Sequence, residues 1–196
     1  MRRRVETGTR RRRIVLYSVP LLALALLASV YYIATASPTP REDFTVPIAI
    51  QLSQLFDGNA YISNVLPKYV GIRGGIWNYH QYDSEGLNGH YPVFAQAGPN
   101  GNANYSLIHV RSTVNRTYTL LDFFNVWGQP LGKTNTLGYT VPPPSSDTKY
   151  TSEWYWDICI QINGGRVFEG SWSNQTLMPG EGIVLKYSNS GCLQYS

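Results

Sequence analysis

Between Ile14 and Ala36 the chain carries no charged side chain, and residues 1–13 before it hold seven arginines and one acid. Twenty-three residues make about 34 Å of helix at 1.5 Å per residue, enough for a hydrocarbon core of about 30 Å. Pro20 falls early in the run, where a kink is tolerable in a membrane, and Tyr31 and Tyr32 suit the outer interface. The arginines then set orientation. Residues 1–13 are expected to be a basic cytoplasmic leader, residues 14–36 a transmembrane signal anchor, and residues 37–41 a short Pro-containing linker. Residues 42–196 are expected to be one β-rich extracytoplasmic domain. A cleaved signal peptide is the alternative, because Ala34-Thr35-Ala36 offers small residues to a signal peptidase.

This split changes the meaning of the net charge of +4. Residues 1–13 carry +6, whereas nine basic and eleven acidic residues from 37 onward give −2. The basicity belongs to the leader, so no nucleic-acid partner is expected of the folded part. The expected partners are the membrane and a membrane-protein or cell-surface partner.

Cys159 and Cys192 are the two cysteines. An even count in an oxidising compartment allows one disulfide, worth about 3–4 kcal/mol for a loop of roughly 33 residues. Two buried free thiols are the alternative. Asn104, Asn115 and Asn174 each begin an Asn-x-Ser/Thr triplet, an acceptor for glycosylation outside the cytoplasm.

Strand periodicity recurs after the linker. Val46, Ile48, Ile50, Leu52 and Phe56 alternate with Pro47, Ala49, Gln51 and Ser53, and Asp57-Gly58 then signals a hairpin into Ala60–Ile62. Trp154, Trp156, Ile158, Ile160 and Ile162 alternate with Tyr155, Asp157, Cys159 and Gln161. Ile183, Leu185 and Tyr187 alternate with Val184 and Lys186. Cys159 lies on the polar side of its strand, so a bridge to Cys192 is expected to strap the C-terminal tail over the outer face of the sheet. Tyr105–Arg111 is a shorter strand candidate. One helix is signalled from Leu120 to Trp127, with Thr119 and Asp122 as a cap and Gly128 as the stop. Residues 71–104 read as a long loop rich in Gly, Asn, Tyr and His. Residues 133–152 read as an irregular Pro/Ser/Thr connection. The fold class is therefore α+β, mostly β: an antiparallel sheet with one short helix, preceded by a single transmembrane helix.

Ile108-His109-Val110-Arg111-Ser112, followed by Arg116 and Thr117 to Leu131 with its Trp127-Gly128-Gln129-Pro130-Leu131 ending, resembles one uncharacterised family of archaeal and bacterial extracytoplasmic domains. That family carries IHVES, a spacer and RxFTLGDFFxxWGQPL. Residues 47–72, 77–92 and 160–187 are similar to other parts of it. The resemblance implies a membrane-anchored β domain and, from the family's H-x-H and H-T-H-D spacing, a metal site. The matching positions here are Ala49 and Gln51 for the first motif and Phe94 to Ala97 for the second, with Arg111 in place of the family glutamate. Of the family histidines, His80 and His109 match. The resemblance thus implies a member lacking most of the ligand set.

His80, Asp83, His90 and His109 are the remaining candidates for a divalent metal; the alternative is separate histidines hydrogen-bonded in loops. The sequence shows no GxSxG serine, no cysteine paired with a plausible base, no P-loop and no dinucleotide fingerprint. No catalytic residue is assigned and no cofactor is expected unless that metal. Trp77, Tyr79, Tyr82 and Tyr91 form an aromatic cluster in the Gly/Asn-rich region. It offers stacking to a glycan or protein, or simple loop packing. The expected function is a membrane-anchored, non-enzymatic surface or accessory module making protein or glycan contacts. A metal-binding ectodomain using His80 and His109 is the second expectation.

Overall fold

The computed structural model describes residues 22–33, 39–56, 59–96, 104–140, 154–172, 174–188 and 191–192. The chain divides into two units, Met1–Thr39 and Pro40–Ser196. In the first, residues 22–33 form helix α1. Among the described residues no helix is long and apolar enough to cross a membrane. Of the expected anchor, residues 14–21 and 34–36 lie outside the described residues. Along α1, Leu22, Leu24, Leu26, Leu27, Val30 and Ile33 all stay more than half exposed.

The second unit is built on one long strand. β1 (Glu42–Phe56) starts four residues before the alternation at Val46 becomes clear. Its fifteen residues serve three neighbours. Its first half pairs antiparallel with β5 (Ser106–Ser112), Phe44 facing Val110 and Val46 facing Ile108. Its middle pairs parallel with β10 (Glu181–Ser188), Ile48 facing Ile183 and Ile50 facing Leu185. Its end pairs antiparallel with β2 (Asn59–Val65), from Ile50–Val65 to Phe56–Asn59; the expected turn residues Asp57-Gly58 lie outside the described residues.

The remaining strands extend both sides. β3 (Val70–Ile72) and β4 (His90–Gln96) lie beyond β5, and β8 (Tyr155–Ile162) and β9 (Val167–Glu169) lie beyond β10. The order is β3-β4-β5-β1-β10-β8-β9, with β2 on β1 as well. Every pair but β1–β10 is antiparallel. β6 (Asn135–Thr136) and β7 (Tyr139–Thr140) form a separate small hairpin at the start of the Pro/Ser/Thr-rich connection, whose centre lies outside the described residues.

Period two places the apolar residues of β1, β5, β8 and β10 on one face. Val46, Ile48, Ile50, Ile108, Ile158 and Leu185 are fully buried there. α2 (Leu120–Trp127) packs on this layer, against β3 and β4, and buries Leu120, Phe123, Phe124, Val126 and Trp127. Its signals act as read from the sequence. The Thr119 hydroxyl accepts from the Asp122 N–H at 3.2 Å, and the Asp122 carboxylate accepts from the Thr119 N–H at 2.8 Å. Gly128 ends the helix in a left-handed conformation, φ 72°.

Two expectations need correction. Residues 71–104 are not one long loop: β4 lies inside them, and its Tyr91–Ala95 run is buried on both faces and so shows no alternation. Ile162 does not continue the buried stripe of Trp156, Ile158 and Ile160, because β8 runs out of cover there and leaves it 43 % exposed. Asp157 and Cys159, on the polar side of β8, are both buried, as a strap over that face requires.

Candidate functional site

The aromatic region between β3 and β4 is knitted into the core. Tyr91 is fully buried, and Trp77, Tyr79 and Tyr82 pack partly buried against the core cluster. Trp77 meets Tyr91 edge-on at 5.9 Å between centroids, and Tyr82 meets Tyr118 in the same way at 6.2 Å. Arg116 lies 4.3 Å above the Tyr82 ring. Tyr91 is thereby corrected from a candidate binding-loop aromatic to a core residue: on β4 its side chain points toward α2. Desolvation raises its phenol above the ordinary range, with the Asp122 charge adding to the effect.

Two hydrogen-bond systems fix this region. Glu85, at the end of a single 3₁₀ turn (Asp83–Glu85), accepts from the Tyr118 hydroxyl at 2.7 Å and pairs with the Arg116 guanidinium at 3.2 Å. Ser112 Oγ lies 2.7 Å from the same Tyr118 hydroxyl. Asn78 caps α2: its N–H donates to Val126 O at 2.9 Å and its side-chain amide to Trp127 O at 3.1 Å. These carbonyls are among the four a helix leaves unpaired at its C-terminus. Gly128 leaves room for that contact, since a Cβ there would stand 2.4 Å from Asn78 Nδ2. Nothing local in the sequence marks Asn78 for this role; the contact spans 49 positions.

The four candidate metal ligands fall into two sets. His80 and Asp83 stand together at the surface, Nδ1 to Oδ2 at 2.8 Å, and Trp77 Nε1 donates to the other carboxylate oxygen at 3.0 Å. Asp83 thus holds the imidazole with Nδ1–H inward and leaves Nε2 to solvent. The ring stacks on Trp77 at 6.1 Å.

His90 and His109 lie on the sheet face opposite α2, with Phe94 between them. Phe94 stacks on His109 at 4.9 Å and 9° and meets His90 at 4.6 Å. Phe94 and His109 are direct cross-strand partners, which accounts for the stack. Burial lowers the His109 pKa most; Asp43 opposes this, and His90 and Arg111 reinforce it. Arg111 Nε pairs with Asp43 at 3.4 Å on the same face. Among the described residues, no group of three or more His, Cys, Asp or Glu side chains converges to hold a metal ion. A ring therefore stands between the two histidines where a bridging cation would need room.

Cys159 and Cys192 form a disulfide. Cys159 lies on the polar side of β8, so the bond brings Gly191-Cys192 across the face of β8 and β10 away from the core, the strap expected from the alternation. Asn104, Asn115 and Asn174 are all exposed, and the Asn104 carbonyl accepts from Asn64 Nδ2 at 3.3 Å. No protein-family model, curated protein or solved structure matches the chain.

Proposed function

We propose that the chain is a single-pass membrane protein whose run Ile14–Ala36 anchors it, N-terminus in the cytoplasm, and whose domain from residue 42 is displayed outside. On this reading the domain is a non-enzymatic module that makes protein or glycan contacts at the cell surface. The observation that carries it is the Cys159–Cys192 disulfide, a bond that persists in oxidising compartments and is rare in the cytosol. The apolar side chains left uncovered along α1 support it, since a helix apolar on all sides is stable only when something apolar surrounds it. The seven N-terminal arginines supply the orientation, and the three exposed sequons suit a surface that faces outward. Likeness to the WGQPL-bearing extracytoplasmic family points the same way.

The non-enzymatic part rests on chemistry. Both cysteines are consumed in the disulfide, and among the described residues the oriented imidazole of His80 has no nucleophile within its hydrogen-bond set. Cross-linking the anchored protein in its native membrane, then purifying it in detergent, tests the reading. A recurrent cross-linked protein or glycan-bearing species is expected. A strictly monomeric, partnerless chain released from the membrane without detergent contradicts it.

A further inference from the structure

The sheet face that the Gly191-Cys192 strap crosses holds two charge-bearing side chains that alternation places on the outside but that are not exposed. Lys186 of β10 is 4 % exposed and Asp157 of β8 is 7 % exposed. They are direct partners in the antiparallel register. Full burial of such groups is rare unless they are paired. Here the strap touches both. Lys186 Nζ donates to Gly191 O at 3.4 Å. Gly191 sits so near Asp157 that a Cβ there would be 3.7 Å from Oδ2 and 3.4 Å from the Tyr155 hydroxyl. The next residue, Cys192, is bonded to Cys159, two positions along β8 from Asp157.

We propose that Gly191-Cys192 is a redox-releasable cover, and that thiol reduction of Cys159–Cys192 converts Lys186 from a buried amine into a surface amine open to acylating electrophiles. The step balances with two equivalents of a thiol. The protein disulfide is reduced to two cysteine thiols and the reagent is oxidised to its own disulfide. With the tie gone, the covalent restraint on the strap is lost, and water reaches Asp157 Oδ2, a buried oxygen with no hydrogen-bond partner among the described residues in the covered state.

The electrostatics of the covered state fit a site closed to water. Desolvation lowers the Lys186 pKa against the opposing pull of Asp157. Desolvation raises that of Asp157, with Glu169 adding to it while Lys133 and Lys186 oppose. Among the described residues these are the charged groups that act on the pair; Gln51 faces Lys186 from β1. The pair is thus held at a cost that hydration relieves. The inference does not depend on the membrane reading, since the cover and its tie are properties of the folded unit.

Pulse acylation of the purified full chain with a small N-hydroxysuccinimide ester, read at each lysine by peptide mass spectrometry, tests it. Exposed Lys68 serves as the internal standard. In the oxidised protein Lys186 is expected to react far more slowly than Lys68. Dithiothreitol is expected to raise its rate on the order of tenfold or more, the scale of a local opening, and to leave Lys68 unchanged. Cys192→Ser is expected to show the fast rate with no reductant. Equal Lys186 rates before and after reduction overturn the proposal. So does a rise in Lys186 labelling only when hydrogen exchange shows β1 and β10 opening together, because the sheet, and not the strap, is then the barrier.

Discussion

The two wings of the sheet are covered in different ways. Beyond β5, the β3–β4 wing is roofed on the core side by α2 and the aromatic region Trp77–Tyr91, tied by Asn78 to the helix C-terminus and by Glu85 to Tyr118 and Arg116. Its opposite face carries the His90–Phe94–His109 stack, where rings cover one another. Beyond β10, the β8–β9 wing has Trp156, Ile158 and Ile160 on the core side. Across its opposite face, Gly191-Cys192 of the tail is held by a disulfide. One wing gains order from many side chains that shield each other. The other concentrates it in one covalent bond over a buried Lys–Asp pair. The first should soften gradually under mutation and be sensitive to shape. The second should be insensitive to most substitutions and sensitive to reductant.

The largest expected effect is on the helix-covered wing. Phe124→Ala removes a fully buried ring between α2 and the sheet and should cost about 3–5 kcal/mol. Urea denaturation would read this as a fall in midpoint in oxidised and reduced protein alike. Cys192→Ser should follow at about 3 kcal/mol, from the lost restraint on a 33-residue separation. It should make stability indifferent to dithiothreitol. If both variants gave the same reductant dependence as the parent, the two wings would not be separable. Gly128→Ala should cost about 1–2 kcal/mol, since φ 72° is strained for any β-carbon and the methyl collides with the Asn78 amide. Asn78→Gly in the same background should recover part of that loss if the collision is the cause.

The smallest effect concerns pH. Burial depresses the His109 pKa in the folded state, so the unfolded chain takes up the proton first as pH falls. The stability that neutral His109 contributes is therefore present above about pH 6.5, the unfolded value, and is lost as pH falls through the lower folded one. Thermal melts between neutral and mildly acidic pH should show this decline, and His109→Phe, which keeps a stacking ring, should flatten it.

Much of the framework was legible because periodicity and end signals are local. Val46 to Leu52 alternates, β1 and β2 pair antiparallel as the hairpin signal implied, and Thr119, Asp122 and Gly128 bracket a helix whose boundaries match the structure. β4 escaped because Tyr91–Ala95 is buried on both faces and shows no period. The burial of Lys186 and Asp157 was not legible, because alternation reports which side of a strand a residue takes, not what later chain lies over that side. The Cys192 pairing pointed to a strap, but the charges beneath it depend on Gly191, at the far end of the sequence. The candidate ligands show the same limit. His80 and Asp83 are three residues apart and meet, whereas whether His90 and His109 face each other directly depended on Phe94 standing between them.

The proposed topology puts the domain outside the membrane on an N-terminal anchor. Protease treatment of intact cells that express the chain with an N-terminal epitope tag tests it most directly, read in the membrane fraction. The account predicts that the domain is lost from the full-length band while a short tagged fragment stays in the membrane, protected. A full-length chain untouched until the cells are opened would contradict it.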